Sequence, residues 1–226
     1  MRVALTFFTL SLVFSILLNA ESLNTLTEQE LDQGWVLLFD GQTPGGWHSV
    51  GKESFPKSGW EIKDGILTIH KGMGGGDIVT SKQYSNFELK LEFRMTKGAN
   101  SGIKYFVQTG THLGLEYQIL DDEQHSVDQN HTLASLYDLI PAKDKPYKPM
   151  GEWNQARLLV KNGYVEHWLN GKKVIEFNRF SQCFEALLQT SKYKDYENFG
   201  RQEKGHILLQ DHGATVSFRN IKIRIL

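Results

Sequence analysis

Hydrophobic and polar residues alternate along most of the chain with the two-residue period of half-buried β-strands. The clearest run is "NFELKLEFRM". Phe87, Leu89, Leu91, Phe93 and Met95 share one face, and Glu88, Lys90, Glu92 and Arg94 share the other. Similar runs recur in "WVLLFDG", "SGIKYFVQT", "GLEYQILDD", "GHILLQDHG" and "TVSFRNIKIRIL". Turn signals separate them. Asp64-Gly65 splits "WEIKDGILTIH" into a hairpin, and Asn162-Gly163 and Asn170-Gly171 divide "EWNQARLLVKNGYVEHWLNGKKVIEF" into three strands. "ASLYDLI" reads as strand or irregular. Only "NRFSQCFEALLQTSKYKDYENFG", Asn178 to Gly200, has a helix-like or irregular pattern. About a dozen short strands without a long amphipathic helix predict an all-β fold, a sandwich of two antiparallel sheets of the jelly-roll kind.

Composition agrees with one such domain in 226 residues. The chain is 40% hydrophobic and 23% charged, with 21 Gly and only 5 Pro. A formal net charge of −1 gives no reason to expect nucleic acid as a partner. Cys183 is the only cysteine, so no intrachain disulfide can form.

The first residues follow another pattern. Arg2 precedes an apolar run from Val3 to Leu18, then Asn19 and Ala20. Residues 1–20 therefore read as a signal peptide, with Ala20 before the cut. A membrane anchor is the competing reading. The run is shorter than the roughly 20 residues a spanning helix needs, and no basic cluster follows it. Periplasmic or secreted localisation is expected, with no membrane span after signal removal. Residues 21–33 read as a linker with one helical turn capped by Thr27, and 34–226 as the domain.

The polar faces of two strands depart from an ordinary solvated face. On "GLEYQIL" the outer set is Glu116, Gln118 and Leu120, with Leu115, Tyr117 and Ile119 inward. On "GIKYFVQ" the expected outer set is Lys104, Phe106 and Gln108. One charge, one amide and one apolar residue suit a partly buried binding face better than a solvated one. Side chains two apart lie about 6.5–7 Å from one another, so Glu116 and Gln118 can meet one small ligand. Asp77 follows the glycine-rich loop "GMGGGD", which lacks the Gly-Lys-Ser/Thr of a phosphate loop. Trp47, Trp60, Trp153 and Trp168 are stacking or core residues, and His125 and His131 read as loop histidines.

Taken together, "GWVLLFDGQTPGGWH", "GGGDIVTSKQYSNFELKLEFRMTKGANSGIKYFV", "GLEYQILDD", "LYDL", the three-strand segment and "TVSFRNIKIR" resemble the 3-keto-disaccharide hydrolase family, the 3-keto-glycoside hydrolases and 1,2-lyases. The resemblance runs from about Gly34 to Ile225. It implies a concanavalin-like jelly roll, export, a carbohydrate substrate already oxidised at C3, and functional coupling to a separate sugar 3-oxidoreductase. It also implies an unusual chemistry. A C3 ketone acidifies the C2 proton; a base removes it, the C1 leaving group departs, and water then adds or does not. On this resemblance Glu116 is the first candidate for base or metal ligand. Lys104 and His167 are candidates to stabilise the enolate or donate a proton. Gln118, Asn100, Asp121, Asp77 and Glu92 are candidates for holding the sugar. A divalent metal is a further candidate electrophile, without a ligand set at diagnostic spacing. Two other readings stay open: a non-catalytic lectin-like module, and a two-carboxylate jelly-roll glycosidase. The amide at Gln118 weighs against the second.

Overall fold

The computed structural model describes residues 23–226; the expected signal peptide at 1–20 lies outside them. Thirteen strands and two short α-helices follow in chain order. They are α1 (Glu28–Asp32), β1 (Trp35–Leu37), β2 (Trp47–Ser49), β3 (Trp60–Lys63), β4 (Ile66–Ile69), β5 (Ile78–Thr80), β6 (Phe87–Met95), β7 (Asn100–Val107), β8 (Leu115–Leu120), β9 (Trp153–Lys161), β10 (Tyr164–Leu169), β11 (Lys172–Asn178), α2 (Gln182–Thr190), β12 (His206–Leu209) and β13 (Val216–Ile225). The larger sheet has the order β11-β10-β9-β6-β13-β4-β3, with β1 also paired to β13. The smaller has the order β2-β5-β12-β7-β8. All ladders are antiparallel, and the core lies between the two sheets. This is the expected jelly-roll sandwich.

The turn chemistry explains the hairpins. Asp64, Asn162 and Asn170 have φ of 51°, 51° and 46°, and the following glycines also lie at positive φ. Two successive left-handed residues make the turn whose twist matches paired strands, and Asx-Gly accommodates it with least strain. On β6 the apolar set from Phe87 to Met95 is buried as its period requires. Glu88, expected on a solvated face, is buried too. Arg157 Nε at 2.5 Å and Arg224 Nε at 2.7 Å cover its carboxylate.

Strand β7 departs from simple alternation. Phe106 has a φ of 54° and packs into the main core beside Tyr105. Val107 is thereby turned to the opposite face, against Val79 and Leu208. Phe106, expected on the outer face, thus lies in the core, and Val107 takes its place outside. Gly205 makes the irregularity fit, because a Cβ there would lie 2.4 Å from the Phe106 backbone.

The described part of 21–33 is docked onto the domain. Asn24 is buried. Its N–H donates to Asn220 Oδ1 (2.7 Å), its Oδ1 accepts from the Asn220 N–H (2.8 Å), and its amide donates to Gly65 O (2.8 Å). Helix α1 is capped by Thr27 in a capping box with Glu30, which also pairs with Lys222.

His167, a candidate for the site from the sequence, belongs to the core. Val165, His167 and Leu169 all face inward on β10. The fully buried imidazole donates from Nδ1 to Ala134 O (3.1 Å) and accepts the Tyr105 hydroxyl at Nε2 (2.9 Å). Those partners suit the neutral ring, and burial pulls its pKa from 6.5 down to about 4. The unfolded chain therefore takes up this proton more readily than the folded one. The resulting stability is present above pH 6.5 and is lost as pH falls through 4, about 3 kcal/mol over that window. Urea unfolding from pH 7 to 4 should show a shallower acid loss in His167→Gln than in the parent. Equal slopes would contradict the assignment.

Candidate active site

The site lies on the face of the smaller sheet that points away from the core. Antiparallel register places Lys104 opposite Glu116 and Gly102 opposite Gln118. Asn100 shares this face, two residues before Gly102. Gly102 is the opening that makes the arrangement work. A Cβ there would lie 2.4 Å from Glu116 Oε1, so the carboxylate folds down over a strand that offers it no side chain. The Gln118 amide, oriented with its nitrogen toward Glu116, donates to Oε1 (3.1 Å) and to Ser101 O (3.1 Å). Lys104 Nζ lies 3.6 Å from Glu116 Oε2 and donates to His112 O (3.3 Å).

Two segments outside the strands wall the cleft. Residues 134–140 cover the free edge of β8 through Gln118 N–H to Ser135 O, Ala134 N–H to Gln118 O and Tyr137 N–H to Glu116 O. The chain after α2 supplies Lys192, Tyr193 and Tyr196. The Lys192 N–H donates to Asp138 Oδ2 (2.8 Å), and its Nζ sits 4.1 Å from the centre of the Tyr137 ring and 5.1 Å from that of Tyr193. Gln210 and His212 close the far side. Gln210 N–H bonds to Gly102 O (3.0 Å), and its side-chain Oε1 is buried with no hydrogen-bond partner among the described residues. The cleft encloses roughly 350 Å³, the scale of a small-molecule site.

Residues 34–224 match the family described as the 3-keto-alpha-glucoside-1,2-lyase-like domain. The chain belongs to this family. A relative named 3-keto-disaccharide hydrolase, from Bacteroides thetaiotaomicron, is 34% identical over 94% of this chain and 86% of its own length. A crystal structure described as a proposed glycosyl hydrolase from Parabacteroides distasonis superimposes with a TM-score of 0.84. It is 33% identical and covers 91% of this chain and 100% of that one. A second structure of that description and organism has a TM-score of 0.68 at 28% identity, covering 85% and 99%.

For this family member the structure gathers four of the sequence candidates, Glu116, Gln118, Lys104 and Asn100, in one cleft. Asp77 stands beside the cleft, on the sheet face that Val79 and Lys104 share. Its Oδ2 holds His112 Nδ1 at 2.6 Å and its Oδ1 accepts the Asp211 N–H at 2.8 Å. Three candidates lie elsewhere. His167 is in the core. Glu92 is on the outer face of the larger sheet, bound to Arg219 (2.6 Å). Asp121 accepts the backbone N–H groups of Gly98 and Glu123, ordering a turn at the end of β8. Tyr137, Lys192, Tyr193, His112, Gln210 and His212 were not singled out from sequence. Only the interleaved "SKYKDY" carried a local hint.

The residues present do not fit a resident metal. Among those described, no group of three His, Cys, Asp or Glu is placed to hold one. Glu116, the candidate ligand, instead has the charges of Lys104 and Lys192 beside it.

Burial raises the Glu116 pKa above 4.5, Lys104 and Lys192 oppose the rise, and the Asp77 charge adds to it. Deleting a cation and deleting an anion should therefore act in opposite directions. In carboxyl-carbon NMR titrations, Lys192→Met should move the ionisation of Glu116 to higher pH and Asp77→Asn to lower pH. Movement in the same direction would refute this electrostatic account.

Proposed function

We propose that this chain is an exported enzyme that cleaves glycosidic bonds of 3-keto-glycosides by C2 proton abstraction and elimination, with or without rehydration. Family membership supports a carbohydrate-active enzyme of the glycoside hydrolase kind. The observation that carries the mechanism is Glu116 itself: a buried carboxylate flanked by two lysines, with no carboxylate opposite or beside it on β7 and β8.

A retaining glycosidase needs two carboxyl groups about 5–5.5 Å apart. The neighbours of Glu116 across and along the face are Lys104, Gly102 and Gln118. An elimination needs one well-placed base. Burial raises the pKa of Glu116 and strengthens it as a base, while the lysines favour its ionised form. With the C3 ketone in place, Glu116 takes the C2 proton and the nearby ammonium groups stabilise the enolate. The C1–O bond then breaks, and the protonated Glu116 returns its proton to the departing oxygen. Water adds to the enone when hydrolysis is the outcome. Gln210 Oε1 is an unsatisfied acceptor suited to a sugar hydroxyl. The exposed Tyr196 offers a face for the ring.

The ketone must come from a separate oxidoreductase acting on the sugar beforehand. The charged start and apolar run in residues 1–20 support export. No helix among the described residues is long and apolar enough to cross a membrane.

Purified protein should release the leaving group from 3-keto-α-glucosides and leave the unoxidised sugars intact, with a primary isotope effect from deuterium at C2. Glu116→Gln should lower kcat by roughly 10²–10⁴-fold with an unchanged circular dichroism spectrum. Gly102→Ala should lower it by forcing Oε1 from its seat. Because the base must be ionised, kcat/KM should fall as pH drops through a midpoint above that of an ordinary carboxylate. Failure to turn over any 3-keto sugar would overturn the proposal.

A further inference from the structure

Lysines 104 and 192 both reach the cleft, but they are held differently. Lys104 is committed to Glu116 and to the His112 carbonyl. Lys192 forms no ion pair or hydrogen bond through Nζ among the described residues. Its ammonium group rests between the rings of Tyr137 and Tyr193. Its backbone is fixed on both sides. The Ser191 side chain is tied to Leu188 O (2.8 Å), the Lys192 N–H to Asp138, and Tyr193 stacks on Phe199 with ring centres 3.9 Å apart. The Tyr137 ring is backed in turn by His131, 4.5 Å away and paired to Asp138 at 2.8 Å. The result is a firmly mounted, solvent-accessible primary amine whose Nζ has no ion-pair partner among the described residues, in the same cleft as Glu116.

We infer that Lys192 is a nucleophile that forms an imine with the C3 ketone of the substrate. This rests on the 3-keto reading above and deepens it. Partial desolvation between the two rings lowers the pKa of the amine, against the opposing charges of Glu116 and Asp138, which favours the uncharged nucleophile. Nζ adds to the C3 carbonyl carbon, the oxygen takes up a proton, and the carbinolamine loses water to leave a protonated imine. Glu116 removes the C2 proton, and the C2–H electron pair moves into a C2–C3 double bond, giving an enamine. That pair then shifts to C1–C2 as the C1–O bond breaks and C3=N⁺ is restored. The proton held by Glu116 goes to the leaving oxygen. Water adds at C3, releasing the unsaturated ketone and free Lys192. The iminium is a stronger electron sink than the ketone, and no metal is required for this step.

The test is reductive trapping. Full-length mature enzyme is incubated with methyl 3-keto-α-glucoside or a 3-keto-disaccharide and sodium cyanoborohydride, which reduces iminium ions in preference to ketones. Peptide mass spectrometry should find the sugar adduct on Lys192 and not on Lys104, with activity lost in step with labelling. Lys192→Arg keeps the charge but cannot form an imine. It should lose turnover roughly a hundredfold, the scale of removing a group that acts on the transition state, and take up no label. Turnover by the parent enzyme without an adduct at Lys192 would overturn this inference alone and leave the elimination reading standing. Near-parental activity in Lys192→Arg would do the same. Should that variant misfold, trapping on the parent enzyme decides by itself. Absence of turnover on every 3-keto sugar would remove the reading on which the inference rests.

Discussion

The carboxylate of Glu116 is the constraint around which this face of the molecule is arranged. An ion removed from water is stable only where charge and hydrogen bonds replace its hydration. Lys104 from the adjacent strand and the Gln118 amide provide that replacement at 3.6 and 3.1 Å. The missing side chain at Gly102 provides the space. The strap at 134–140 then seals the edge of β8 with backbone hydrogen bonds and brings Tyr137 over the same spot. Each feature has a structural role, and together they hold the carboxylate against a small cleft.

The framework was legible in the sequence because it follows from local rules. Period-two alternation marked β6, β8 and β9, and Asx-Gly pairs marked the hairpins at 64, 162 and 170. Glu116 and Gln118 stood out because an amide and a carboxylate replaced the flexible charges of a solvated face. His167 could have been placed correctly from the same rule, since Val165, His167 and Leu169 alternate inward together. Its polarity drew attention away from its phase.

What the sequence concealed depends on long-range geometry. The bulge at Phe106 needs a close approach by Gly205, about a hundred residues along the chain, and no local pattern around Phe106 announces it. Lys192 and Tyr137 come from irregular segments that meet only after both sheets have formed. The unexpected burial of Glu88 has the same origin, because its two arginines arrive from β9 and β13.

The clasp between Asn24 and Asn220 joins residues 196 positions apart, and β1 lies along β13. Strand β13 is also an interior strand of the larger sheet, between β6 and β4. Early segments therefore wait for a late strand before their main-chain groups find partners. Contacts of such long range slow the search for the native state. In a chain lacking β13, the β11-β10-β9-β6 block and the β3-β4 hairpin keep their own pairings but lose the strand that joins them, and β1 loses its partner.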